Sequence, residues 1–174
     1  METKENKLNN KLELYRVIPK YIDALKYDTE NGDQRVYDVR GKENRPFVVI
    51  ITLGNGQKYC IPLTKHKPKF DTMHDCIDFS RIISNGKIIG AVEFSRMIPL
   101  EYGQLRPLEM DFVKRDNKFY KNTKTDRQIT YNWVCEHEDE IINKANILYN
   151  TYVSGQKFKR RSDCLNFPLI HQIK

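Results

Sequence analysis

Two apolar runs facing each other across a tight turn constrain this chain more than any other feature. Phe47 to Leu53 (FVVIITL) is β-branched and apolar without a break, the composition of a buried strand. Gly54-Asn55-Gly56 turns the chain, and Lys58 to Leu63 (KYCIPL) returns as the hairpin partner. A second hairpin is signalled by Ile82-Ile83, Asn85-Gly86 and the run from Ile88 to Val92. Met97 to Leu100 is a short apolar segment whose Pro99 suits a strand end.

Around these hairpins the hydrophobic period changes. Leu12 to Ile18 alternates as a strand; Pro19 then opens a helix whose Tyr21, Ile22 and Leu25 recur at helical spacing. Asp28 to Asn44 is polar, contains Asn31-Gly32 and Gly41, and reads as a long loop. Ile129, Trp133, Ile141, Ala145, Leu148, Tyr149 and Tyr152 mark one face of a helix from about Thr125 to Ser154, with Gly155 as its C-cap. Glu136, Glu138, Asp139 and Glu140 read as its solvated side. The expected class is α+β, antiparallel hairpins with helices packed on them. A length of 174 residues fits one domain, 1–174, with residues 1–11 as a flexible extension.

Lys and Arg outnumber Asp and Glu by 30 to 23, a formal charge of +7, which favours a polyanionic partner such as nucleic acid or an anionic membrane surface. Met1 to Asn10 has no apolar core, so no secretory signal is expected, and no uncharged apolar run approaches membrane-spanning length. The cysteines (Cys60, Cys76, Cys135, Cys164) are far apart and form no CxxC pair, which points to reduced thiols and a cytoplasmic protein. GxSxG and GxxxxGK[ST] are absent, so serine hydrolase and nucleotide hydrolase chemistry are not indicated.

The segment Pro62-Leu63-Thr64-Lys65-His66-Lys67-Pro68-Lys69 leaves a buried strand and presents a hydroxyl, three lysines and an imidazole. Phosphoryl transfer from an RNA 2′-OH needs a base for the 2′ proton, donors for the charged phosphorane and an acid for the leaving 5′-oxygen. Lys, His and Thr can meet those needs without a metal. The plainer alternative is a solvated basic loop, because charge runs usually face water. Lys114-Arg115, Lys118, Lys121, Lys124 and Arg127, interleaved with Phe112, Phe119 and Tyr120, show the pattern of a nucleic-acid groove. Lys157 to Arg161, which includes Lys159 and Arg160, is a further basic cluster; solubility explains either one equally well. Cys60, His66, His74 and Cys76 are zinc-type ligands at a spacing that matches no common knuckle, so no metal is expected.

The order of these features resembles the ToxN/AbiQ family. Its members carry a strand leading into a Tyr-containing helix start (Tyr15 to Tyr21 here) and a polar loop with a tyrosine (Tyr37). An apolar strand and a Lys-Tyr-x-x-Pro-Leu-[Thr/Ser] segment follow, matched by Lys58 to Thr64 with Lys67. Asn85-Gly86 and Gly90 through Met97-Ile98-Pro99 fit the family's hairpin and Met-Ile-Pro strand; Asp163 to Phe167 resembles its tail. The resemblance runs from about Leu14 to Phe167 and is loosest in the C-terminal helices.

It implies a strongly twisted antiparallel sheet with packed helices, similar to the Kid/MazF-like ribonuclease toxin fold. It also implies a sequence-selective, metal-independent endoribonuclease toxin needing no cofactor. Such a toxin cuts mRNA and its own antitoxin RNA precursor to 2′,3′-cyclic phosphate and 5′-OH ends. Pseudoknot repeats of that antitoxin RNA then hold it in a closed protein–RNA assembly, and bacterial growth arrest or abortive phage infection is the output. Thr64 and Lys67 match the catalytic loop, with Lys65 where relatives often have Ser and His66 where Pro is frequent. Tyr21, Tyr37 and Arg45 fall on site-lining positions, and Lys69, Lys118, Lys121, Lys124, Lys159 and Arg160 are the expected further RNA contacts. The rival readings are a non-catalytic RNA-binding or RNA-sequestering protein, a DNA-binding regulator, for which no helix-turn-helix pattern exists, and a membrane-surface binder, which lacks an amphipathic basic helix.

Overall fold

The structure, a computed structural model, describes residues 12–41, 45–51, 56–100, 102–108 and 118–173. The expected N-terminal extension, residues 1–11, lies outside them, as do Lys114 and Arg115.

β1 (Leu14–Val17) runs directly into α1 (Pro19–Tyr27), where proline occupies the helix start that needs no amide hydrogen. β2 (Phe47–Ile51) and β3 (Lys58–Lys65) pair antiparallel from Phe47↔Pro62 to Ile51↔Lys58, the hairpin that the two apolar runs predict. β4 (Phe79–Ser84) and β5 (Lys87–Glu93) form the second hairpin. Its turn residues Asn85 and Gly86 both have positive φ, 49° and 73°, the geometry that makes Asn-Gly the favoured pair there. β6 (Ile98–Pro99) pairs with β3, and β7 (Leu105–Pro107), which the sequence pattern does not announce, pairs with β1. The result is one antiparallel sheet in the order β4-β5-β3-β2-β1-β7, with β6 beside β3.

The single long helix expected from about Thr125 to Ser154 is two helices, α2 (Lys118–Glu136) and α3 (Glu138–Val153), broken at His137. Of the four acids read as a solvated side, Glu136 ends α2, and Glu138, Asp139 and Glu140 occupy the first turn of α3, where the helix dipole favours negative charge. Gly155 follows α3 with φ 78°, as expected of a helix-ending glycine. A short α4 (Phe167–Ile170) closes the chain, with Asn166 capping it. The core is continuous from β1 through the central strands to these helices, with Tyr59, Ile61, Val134, Leu148, Leu165 and Phe167 fully buried.

Candidate active site

β3 lies near the middle of the sheet, and its last residues carry the site. Thr64 pairs with Ala91 and Lys65 with Gly90. A Cβ at Gly90 would stand 2.3 Å from the Thr64 carbonyl oxygen, so only glycine lets β5 approach there. The ladder ends with the His66 amide donating to the Ile89 carbonyl at 3.0 Å. Pro68 to Asp71 then forms a 3-10 turn, and the Phe70 amide donates to the Lys67 carbonyl at 2.8 Å. Phe70 is fully buried against Phe79 and Ala91, its ring 5.2 Å from that of Phe79. This wedge pins the basic loop to the sheet while Lys65, His66, Lys67 and Lys69 stay exposed. His66 Nε2 lies 2.8 Å from Asp71 Oδ1, and the Lys69 ammonium sits 5.8 Å from the Phe70 ring centroid.

Opposite this loop stands Tyr37, surrounded by cations. Arg45, Arg96 and Lys67 approach its ring centroid to 4.6, 5.5 and 5.9 Å. Its hydroxyl lies beside Glu93, a buried carboxylate on β5. Burial, then the neighbouring Glu93 carboxylate, push the Tyr37 hydroxyl well above the usual phenol range, against the opposing charges of Arg96 and Arg45. Burial likewise pulls the Arg45 guanidinium below its ordinary value, opposed by Tyr37 and Glu93. Strand alternation puts Thr64, Ala91 and Glu93 on one face of the sheet.

In this region three buried polar atoms, Thr64 Oγ1, Arg45 Nη1 and Glu93 Oε2, have no hydrogen-bond partner among the described residues. Buried polar groups are normally paired, so a donor-capable hydroxyl, a guanidinium nitrogen and a carboxylate oxygen left open beside an exposed lysine mark a place prepared for a ligand. The charges suit a phosphate: two guanidiniums and an ammonium converge on one tyrosine ring.

The structure thus brings together Thr64, Lys67, Tyr37 and Arg45, with Lys65, His66 and Lys69 on the adjoining loop. Tyr21 goes elsewhere. It lies on the inward face of α1 with Ile22 and Leu25, 6% exposed, and its hydroxyl donates to the Pro99 carbonyl at 2.6 Å. Its ring is therefore used in packing and offers no open face to a base. The side chains of Lys118, Lys121 and Lys124 on α2 are outside the described residues. Lys159 is exposed, whereas the Arg160 guanidinium is bound to Asp78 at 3.3 Å and Asp163 at 3.2 Å. Glu93 and Arg96 lie with the candidate site and were missed by sequence reasoning; the available signal was two charges inside the apolar run from Ile88 to Leu100. Among the described residues no group of three or more His, Cys, Asp or Glu is placed to hold a metal ion, and Cys60 is buried in the core. Among them, too, no helix is long and apolar enough to cross a membrane.

Comparison with known families gives a match over residues 13–174 to the toxin ToxN of type III toxin–antitoxin systems. A comparison with curated protein sequences returns no match. Among solved structures, the chain is similar to a bacterial type III toxin–antitoxin system described for selective toxin inhibition by a non-coding RNA pseudoknot, with TM-score 0.74 and 19% identity over 94% of this chain and 95% of the other. It is similar to AbiQ, a lactococcal anti-phage endoribonuclease of a type III system, with TM-score 0.74 and 21% identity over 92% and 94%. A third likeness is to a bacterial antiviral system regulated by a processed non-coding RNA, with TM-score 0.72 and 20% identity over 92% and 95%. At these identities the structural likenesses establish the α+β antiparallel fold.

Proposed function

The chain belongs to the ToxN family of type III toxin–antitoxin toxins, and from that premise we propose that it is a metal-independent endoribonuclease that cuts single-stranded RNA and is held inactive by a pseudoknot antitoxin RNA. The observation that carries the reading is the trio of open buried polar atoms, Thr64 Oγ1, Arg45 Nη1 and Glu93 Oε2, around a tyrosine flanked by three cations. An RNA phosphate set there meets a hydroxyl donor from Thr64 and charge-assisted donors from Arg45 and Lys67.

The reaction is an in-line attack of a 2′-oxygen on the adjacent phosphorus. The 2′-O–P bond forms and the P–O5′ bond breaks, giving a 2′,3′-cyclic phosphate and a 5′-OH. Lys67 stabilises the phosphorane and gives its proton to the departing 5′-oxygen; Thr64 holds a non-bridging oxygen. His66 takes the 2′ proton, its ring oriented by Asp71. Tyr37 gives a base or ribose a flat surface, flanked by Arg45, Arg96 and Lys67. AbiQ and the RNA-regulated systems that this fold resembles support both the ribonuclease reading and the antitoxin RNA as partner. Growth arrest on release from that RNA, in a bacterial cytoplasm, and phage-triggered release are parts of the same proposal.

Cleavage of an end-labelled, A-rich single-stranded RNA in EDTA tests it, with wild type beside Lys67→Ala. Discrete cuts ending in cyclic phosphate are expected from wild type, and a loss of at least about a hundredfold in the variant at unchanged folding. A folded, RNA-free wild type that binds a panel of RNAs without cutting any would replace the nuclease with the RNA-sequestering reading.

A further inference from the structure

The segment that follows α3 builds a second feature, which the reaction above does not use. Arg35, Tyr152, Lys157, Phe158, Arg160 and Arg161 line an open groove of about 500 Å³, the size range of a small-ligand site. With Ser162 and Cys164 they make eight lining residues, of which four are cationic and two aromatic; among the described residues no carboxylate lines it. The groove is built in place. Arg161 donates to the Tyr152 carbonyl at 2.8 Å and to the Gln156 carbonyl at 3.2 Å, and its guanidinium lies 4.1 Å from the Tyr152 ring centroid and 5.8 Å from that of Phe158. Arg160 sits in the left-handed region, φ 68°, a conformation that costs energy for a side chain of its size. Its ion pair with Asp78, a carboxylate 1% exposed, offsets that cost and fixes the loop. Arg35 is paired with Asp33 at 2.7 Å and donates to the Ser162 carbonyl, which ties the groove's far wall to the long loop.

The groove also adjoins the Tyr37 cluster. The Arg96 guanidinium that faces the Tyr37 ring donates to the Arg35 carbonyl at 2.9 Å. One arginine thus stands between the two.

We infer that this groove is a subsite for an unpaired nucleotide flanking the scissile bond of single-stranded RNA. The inference rests on the proposed reading in taking RNA as the ligand and the Tyr37 cluster as the place of the scissile bond. The arginine–aromatic surface of Arg161, Tyr152 and Phe158 stacks a base, and the exposed Lys157 ammonium meets its phosphate. Stacking requires a base free of its duplex, so the subsite selects single strands. An acidic peptide would meet the charges but leave the aromatic faces unused.

The test uses RNA methylated at every 2′-oxygen, which binds but cannot be cut, so binding is read separately from catalysis. The dinucleotide that holds the scissile bond reaches only the Tyr37 cluster; an oligonucleotide of about ten residues also reaches the groove. Lys157→Glu and Phe158→Ala are expected to weaken the longer RNA about tenfold and the dinucleotide by less than about twofold. Phe158 is half-buried, so its variant is checked for folding by circular dichroism, and the exposed Lys157 carries the test if that variant fails. A 4-thiouridine placed beside the cleavage position should photo-crosslink to the peptide spanning residues 156–164. Equal losses for both RNAs, no loss with Lys157→Glu, or no crosslink to that peptide would each overturn the subsite. RNA bound in the groove of a protein that never cuts unmodified RNA would uphold the subsite and remove the nuclease reading.

Discussion

A hydroxyl buried without a partner is a cost that a folded chain normally removes, and Thr64 keeps one. If that hydroxyl serves the phosphate, replacing it should separate activity from stability. Thr64→Val fills the same space and removes the unpaired oxygen, so the melting temperature should hold or rise. Cleavage should fall about 100-fold, the loss typical of one donor to a developing oxyanion, and Thr64→Ser should recover most of it. Single-turnover cleavage with parallel thermal melts makes the comparison; a valine variant that cuts as wild type does removes Thr64 from the reaction. Thr64 and Lys67 were nameable as candidates from sequence because the loop gathers a hydroxyl, lysines and an imidazole after a buried strand and resembles the family's catalytic loop. Glu93 was not, because a lone glutamate at a strand end has the look of a solvated one until Tyr37, far away in sequence, is seen beside it. Tyr21 fails for the converse reason: matching a position says nothing about which way the ring points, and α1 turns it into the core.

At the scale of elements, the site depends on how closely β5 approaches β3. Their pairing places Thr64 opposite Ala91 and leaves room for nothing but hydrogen at Gly90. Gly90→Ala forces a methyl group onto backbone that cannot swing away, and should destabilise the protein by about 1–3 kcal/mol, the range of an overpacked core. Because the displaced strand carries both Ala91 and Glu93, cleavage should fall further than the lost stability explains. Urea unfolding beside activity at a temperature where the variant is fully folded checks both; normal stability would mean that β5 tolerates a Cβ there. Strands and hairpins were legible because alternation and Asn-Gly turns are local signals. The helix break at His137 was not, since the apolar period runs from Trp133 through Ile141 almost in phase. The break coincides with contacts that the period does not show. The His137 ring stacks on Trp133 with centroids 4.0 Å apart, its Nδ1 lies 2.8 Å from the Trp133 carbonyl oxygen, and Glu138 accepts the amide of Leu12, just before β1. β7 escaped for lack of length, three residues that become a strand only because β1 offers them an edge.

For the whole molecule, the sheet and the last helices share one core, and Tyr59 stands at their junction. It is fully buried on β3, with Tyr149, Phe167 and His171 rings at 5.6, 6.4 and 6.4 Å. Burial, with the neighbouring Tyr149 adding to it, raises its hydroxyl far above the ordinary phenol value of about 10. The consequence is alkaline lability with a definite sign. Below about pH 10 the phenol is protonated in both states and contributes no slope. Above it the unfolded chain releases the proton and the folded chain retains it, so the unfolded state binds fewer protons and stability falls as pH rises. For this one group the fall is about 1.4 kcal/mol per pH unit until the folded value is reached. Tyr59→Phe keeps the ring and removes the proton, so its unfolding free energy should decline less steeply across the same range. Tyr37, raised by burial and Glu93, still contributes a slope of its own in that variant. Urea unfolding of both proteins at about pH 9, 10 and 11 reads the difference. Parallel slopes would mean that the junction between sheet and C-terminal helices opens enough to hydrate Tyr59, and that the core is not closed there in the way the buried Leu165, Phe167 and Ile170 require.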